Sequence, residues 1–73
     1  MTETQARAFA ALIRPATDEE LTARLADLWP DQRVSPQSIR SRRAELVRPG
    51  LVIDSGTTRP TQYGQSASVW RLP

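Results

Sequence analysis

Arginine residues carry the chemistry to which this sequence points. All ten basic side chains are Arg, there is no Lys, and four of the ten fall between positions 40 and 48. Arg presents a planar fork of N–H donors that fits a phosphate group or the edge of a guanine, whereas Lys presents a single point charge. The cluster of Arg40, Arg42, Arg43 and Arg48 therefore indicates recognition of a polyanion.

The charge is divided unevenly along the chain. Residues 1–32 hold three Arg against six acidic residues, a net charge of −3, and residues 33–73 hold seven Arg against two acidic residues, a net charge of +5. The modest total of +2 therefore conceals a basic second part. This asymmetry predicts that the second part of the chain contacts the polyanion.

Composition argues against several kinds of site. The chain has no Cys and no His, so it lacks thiolate ligands, a thiol nucleophile and the commonest general base. It has no Gly-rich phosphate loop, and a single domain of 73 residues, 1–73, leaves little room for a substrate cleft. We predict a binding domain that is not an enzyme, with no metal site and no cofactor.

Local signals predict three helices. Capping boxes and apolar stripes place the first two at about 3–14 and 18–29. The third helix, predicted at 36–47, has the clearest boundaries. Ser35 is an N-cap candidate with Pro at the next position, and Gly50 suits a left-handed C-cap.

The remainder of the chain has an extended pattern. An apolar run begins at Leu51 and a second extended run, containing Val69 and Trp70, begins at Ser66. Polar residues with turn-forming types separate the two runs over 55–65. Two such runs with a polar connection predict a β-hairpin over 51–72 with a long loop at its tip.

The order of two helices, a short turn, a third helix and a hairpin leads to a resemblance. Leu46 near the end of the third helix is followed by Gly50 and then by the apolar pair Leu51 and Val52. With this pattern, residues 17–72 resemble a winged helix-turn-helix domain of the type found in small phage and bacterial regulators. The resemblance implies an α+β fold with a three-helix core followed by a hairpin wing. It also implies binding of double-stranded DNA in transcription regulation or another phage DNA transaction.

One residue departs from that pattern. Three positions before Leu46, where such domains often have an apolar residue, this chain has Arg43. Two interpretations follow. Arg43 is either partly buried with its aliphatic stem packed, or it lies at the edge of the core.

The resemblance and helical geometry together predict the DNA contacts. At about 100° per residue, Gln37 and Ser41 point outward from the third helix, which would enter the major groove. There Gln37 could pair with adenine, and Arg40 or Arg42 with guanine. Glu45 is expected outside the contact or opposite an Arg, and the wing is expected to place a flexible tip along the backbone or in the minor groove. The predicted contacts are Arg33, Ser35, Gln37, Ser38, Arg40, Ser41, Arg42 and Arg48 from the helix-turn-helix, and Thr57, Thr58, Arg59, Thr61 and Gln65 from the wing.

Two other functions fit the same residues. The domain could be a winged-helix protein-interaction module that binds an acidic partner, because a fold alone does not determine function. It could also be an excisionase-like architectural factor that bends DNA. The first helix could complete the core or form a homodimer face, so monomer and dimer both stay open. We expect no membrane contact, since no apolar run is long enough to span a bilayer, and a cytoplasmic, nucleoid-associated protein of bacterial or phage origin.

Overall fold

Three helices and a two-stranded antiparallel hairpin follow one another along the chain. The computed structural model describes all residues, 1–73. This order confirms the predicted α+β fold with a three-helix core followed by a wing. None of the helices combines the length and the apolar character that a bilayer crossing needs. The elements are α1 Glu3–Ala11, α2 Asp18–Leu28, α3 Pro36–Val47, β1 Ile53–Pro60 and β2 Ser66–Arg71.

Each helix begins at a hydroxyl side chain that caps it. Thr2 and Thr17 form complete capping boxes with Gln5 and Glu20, in which each side chain accepts the other residue's backbone N–H. Ser35 accepts the N–H of residue 38 at 3.1 Å and precedes a proline at the first helical position. These bonds satisfy N–H groups that have no partner within the helix.

The first helix ends earlier than predicted. It stops at Ala11, where the N–H of Leu12 is shared between two carbonyls of the preceding turn. The guanidinium of Arg24, which reaches across from α2, donates to the carbonyls of Ala11 at 3.0 Å and Arg14 at 2.6 Å. The side chain of Arg24 thus satisfies carbonyls at and beyond the end of α1. The second helix stops at Leu28, one residue early, which is within the usual spread of helix ends.

A glycine closes the third helix and turns the chain toward the hairpin. Gly50 has φ +80°, and its N–H donates to the carbonyl of Val47 at 3.0 Å. The next N–H, of Leu51, donates to the carbonyl of Leu46 at 3.1 Å. This pair of bonds is the Schellman motif, which needs a left-handed residue at the position of Gly50.

The first strand is longer than predicted. The sequence predicts a loop over 55–65, but β1 continues to Pro60 and the connection is confined to five residues, 61–65. The prediction of a long loop at the hairpin tip is therefore wrong. Its consequence for the candidate site is that Thr57, Thr58 and Arg59 lie within a strand rather than at the tip.

A bulge explains this error. Between Asp54 and Thr58, three residues of β1 stand opposite one residue of β2. Gly56, at φ +83°, lies inside this irregular stretch, and its N–H donates to the carboxylate of Asp54 at 2.8 Å. An Asp-Ser-Gly sequence is typical of a turn, but within a strand pattern a glycine marks a bulge.

A single antiparallel β-bridge links Ala16 to the second strand of the hairpin. The N–H of Ala16 donates to the carbonyl of Trp70 at 3.0 Å, and the N–H of Trp70 donates to the carbonyl of Ala16 at 2.8 Å. Ala16 belongs to the connection between α1 and α2. The wing is therefore hydrogen-bonded to the helical part of the domain as well as joined to it by the chain.

The core lies where the three helices meet the base of the hairpin. Its fully buried large side chains come from each part of the chain: Leu12, Leu21, Ile39, Val52 and Val69. Both tryptophans are half-buried and pack against this cluster. The core fixes one face of α3 and leaves the opposite face in solvent.

Candidate nucleic-acid interface

The solvent face of α3 carries polar side chains that could read base edges. Gln37, Ser41 and Arg48 are exposed and lie within about 40° of one another around the helix axis. Arg40, also exposed, lies about 60° from Gln37 on the side of the hairpin turn. Ile39 is fully buried on the other side of the helix, so its packing fixes which residues face outward.

Salt bridges within the molecule distinguish paired arginines from those that are free to bind a ligand. Four of the ten form salt bridges, joining Arg7 to Glu3, Arg42 to Glu45, Arg43 to Asp18 and Arg59 to Glu20. Three exposed arginines of the helix-turn-helix have no carboxylate within 4.0 Å. These three are Arg33 in the turn before α3, Arg40 in its first half and Arg48 at its end.

Arg42 lies on the side of α3 that faces α1. Its Nε is 2.9 Å from a carboxylate oxygen of Glu45, although the approach is not aligned for a hydrogen bond. The same oxygen accepts the side-chain amide of Gln5 at 2.9 Å. Glu45 is thus opposite an Arg, one of the two positions expected for it, and contact of Arg42 with guanine stays a prediction.

Arg43 is a structural residue in the unbound domain, and its stem is partly buried as the first interpretation supposes. Its side chain is 13% exposed, and its Nε and Nη2 donate to the two carboxylate oxygens of Asp18 at 2.9 and 2.6 Å. Its guanidinium also stacks over the ring of Trp70, 3.9 Å from the centroid. This cluster joins α2, α3 and β2. No local spacing signals it, because its members are at least 25 residues apart.

An open groove lies between the start of α3, the outer side of α2 and the hairpin turn. Its volume is about 700 Å³, and it brings together three of the predicted contacts, Arg40, Thr61 and Gln65. Tyr63 also lines it and is 81% exposed. The groove therefore connects the solvent face of α3 to the wing in one continuous surface.

The turn of the wing is held together by one of the predicted contact residues. The hydroxyl of Thr61 accepts the N–H of Tyr63 at 3.2 Å and that of Gln65 at 3.3 Å. The N–H of Thr61 donates to the carbonyl of Gln65 at 2.6 Å. Thr61 thus shapes the turn, whereas the side chain of Gln65 is exposed.

The hydroxyls at the start of α3 bond to each other. The Oγ atoms of Ser35 and Ser38 are 3.1 Å apart, and Ser35 also caps the helix. Thr57 in β1 is similarly engaged, since its hydroxyl is 2.8 Å from that of Ser55, while Thr58 is exposed. Contact of these residues with DNA stays a prediction.

Comparison with known proteins bears on the fold. No protein-family model and no curated protein matches the chain. Among solved structures, it is similar to the crystal structure of a "putative transcriptional regulator" from Thermoplasma acidophilum, with a TM-score of 0.67 and 20% sequence identity. The similarity covers 96% of this chain but 64% of that protein's chain. With the element order above, this likeness shows the winged helix-turn-helix fold, and at such low identity it shows the fold alone.

Proposed function

We propose that this domain binds double-stranded DNA and acts in transcription regulation or a related DNA transaction. The observation that carries the proposal is the arrangement of Arg33, Arg40 and Arg48. They are exposed, lack acidic partners and surround the polar face of one helix, next to a groove that extends to the wing. The proposal places the domain in the cytoplasm, on the nucleoid, in a bacterial or phage setting.

The positions of these residues support base contacts from the first half of α3 and phosphate contacts from its two ends. The helix would enter the major groove, where Gln37 could form two hydrogen bonds with adenine and Arg40 could bind the O6 and N7 atoms of guanine. Arg33 and Arg48 lie at opposite ends of α3, where the phosphates on the two sides of the groove would pass. Thr58 and Gln65 are exposed on the hairpin and would contact the backbone beside the groove.

A salt titration with duplex DNA tests this function. With about two phosphates neutralised by Arg33 and Arg48, log Kd should change with log salt by a slope of about 2, since each contact contributes about 0.9. Arg40→Ala should weaken binding to a selected site by about 5-fold to 150-fold if Arg40 reads a guanine. Fluorescence anisotropy of a labelled duplex measures both quantities.

Arg14→Ala is the matched control. Arg14 is also exposed and has no acidic partner, but it lies in the connection between α1 and α2. The control removes the same charge and should change Kd by less than about 3-fold, because it removes no base contact. Absence of binding at low salt would rule out the function, and equal effects of the two variants would rule out the assigned role of Arg40.

A protein-interaction module is the second candidate function. Two observations favour it: four of the ten arginines are paired within the molecule, and Ile13, in the connection after α1, is 82% exposed. Binding of a protein partner without affinity for DNA would decide for this function. Within the DNA-binding class, a gel-based bending assay would distinguish an excisionase-like factor from a regulator that leaves its site straight.

A further inference from the structure

Three consecutive carboxylates at the start of α2 connect it to the rest of the DNA-facing side. Asp18 binds Arg43 of α3, as described above. Glu19 accepts the backbone N–H of Gln62, in the hairpin turn, at 3.3 Å. Glu20 accepts the guanidinium of Arg59, in β1, at 2.6 Å. Two of these three contacts hold the wing.

The pair of Glu20 and Arg59 differs from the pair of Asp18 and Arg43 in its access to solvent. The side chains of Arg59 and Glu20 are 46% and 38% exposed. Such a pair contributes little to folding stability and is screened by salt. A DNA phosphate can therefore replace the carboxylate of Glu20 at small cost, because both are anionic oxygen acceptors for the same guanidinium.

We propose that Glu20 is a positioning residue of the wing, which holds Arg59 in the free protein and releases it to a phosphate when DNA binds. This inference rests on the proposed function and assigns a mechanism to it. In the free protein, the bond keeps Arg59 and the strand that carries it beside α2. On DNA, the guanidinium exchanges one anion for another, so the carboxylate of Glu20 competes with the phosphate for Arg59.

Glu20→Gln isolates the ion pair from the helix cap. Glu20 also accepts the N–H of Thr17 at 3.0 Å as the third residue of the capping box, a position where Gln serves equally well. The substitution therefore keeps α2 capped and removes only the charge. Glu19→Gln removes the same charge at the neighbouring position, where the partner is a backbone N–H rather than an Arg.

The test is a double-mutant cycle of wild type, Glu20→Gln, Arg59→Gln and the double variant, titrated with one duplex at several salt concentrations, with Kd compared at the lowest of them. Arg59→Gln should raise Kd by about 3-fold and reduce the salt slope by about 1. Glu20→Gln should lower Kd by about 3-fold in the wild-type background and by less than about 1.5-fold in the Arg59→Gln background. Glu19→Gln should lower the wild-type Kd by less than about 1.5-fold, because its partner is a backbone N–H rather than an Arg.

Other results overturn the inference. If Glu20→Gln lowers Kd by the same factor in both backgrounds, its charge acts on DNA directly and not through Arg59. If Arg59→Gln changes neither Kd nor the salt slope, Arg59 does not reach a phosphate. In both cases the wild type still binds, so the proposed function stands. If the wild type does not bind at low salt, the function and this inference are both wrong.

Discussion

Replacing Arg43 with alanine is expected to lower the free energy of unfolding by about 2–3 kcal/mol. Removal of one partner of a buried ion pair costs about 3–5 kcal/mol, and the partial exposure of this pair, at 13% and 21%, reduces that figure. Alanine also removes the guanidinium from the face of Trp70, a contact of about 0.5–2 kcal/mol. A domain of 73 residues has a total stability of only about 4–11 kcal/mol, so this loss is a large and measurable fraction of it.

Urea denaturation followed by tryptophan fluorescence measures this change. Arg40→Ala is the matched control, because it removes the same side chain from an exposed position of the same helix and should change stability by less than about 0.5 kcal/mol. The stability of Arg43→Leu should lie closer to wild type than that of Arg43→Ala, since leucine restores apolar contact with the ring of Trp70. Equal stability of Arg43→Ala and Arg40→Ala would show that the cluster of Asp18, Arg43 and Trp70 does not stabilise the fold.

Ile39→Ala should lower the free energy of unfolding by about 3 kcal/mol. Ile39 is fully buried, and truncating such a side chain removes apolar burial and leaves a cavity, at a cost of about 2–5 kcal/mol. Ile39→Val removes one methylene and should cost about 0.5–1.5 kcal/mol. Because the position faces away from the proposed DNA contacts, Ile39→Val should leave Kd unchanged.

Ile13 offers a control of the same residue type. Its side chain is 82% exposed in the connection between α1 and α2, so Ile13→Ala should change stability by less than about 0.5 kcal/mol. The two variants are compared by the midpoint and the m-value of their urea denaturation curves, measured under the same conditions. A smaller loss for Ile39→Ala than for Ile13→Ala would contradict the arrangement of the core.

Features that depend on neighbouring residues were predictable from the sequence. The N-caps Thr17 and Ser35 bond to groups three residues away, and Gly50 closes a helix whose last turn is adjacent to it. Each of these signals contains its own partner within a few positions. The element order, and with it the winged fold, follows from such local signals.

Features that depend on distant partners were not predictable. The carbonyls at and beyond the end of α1 are satisfied by Arg24, which approaches from another helix. The long β1 strand depends on pairing with β2, which absorbs Gly56 as a bulge. A sequence shows where the arginines cluster, but not that Arg43 and Arg59 bind acids 25 and 39 residues away. The candidate site therefore has fewer unpaired arginines than the number of arginines in the sequence indicates.

The bridge between Ala16 and Trp70 has a consequence for how the domain unfolds. The two residues come from opposite ends of the chain, and each donates and accepts one hydrogen bond. The wing cannot leave the helices without breaking both bonds and uncovering Trp70, and the helices cannot separate without releasing the last strand. Wing and helices should consequently form one cooperative unit, so that the amide protons of Ala16 and Trp70 exchange with solvent only through global opening. In a domain of this size, α3 and the wing would then share a single folding equilibrium.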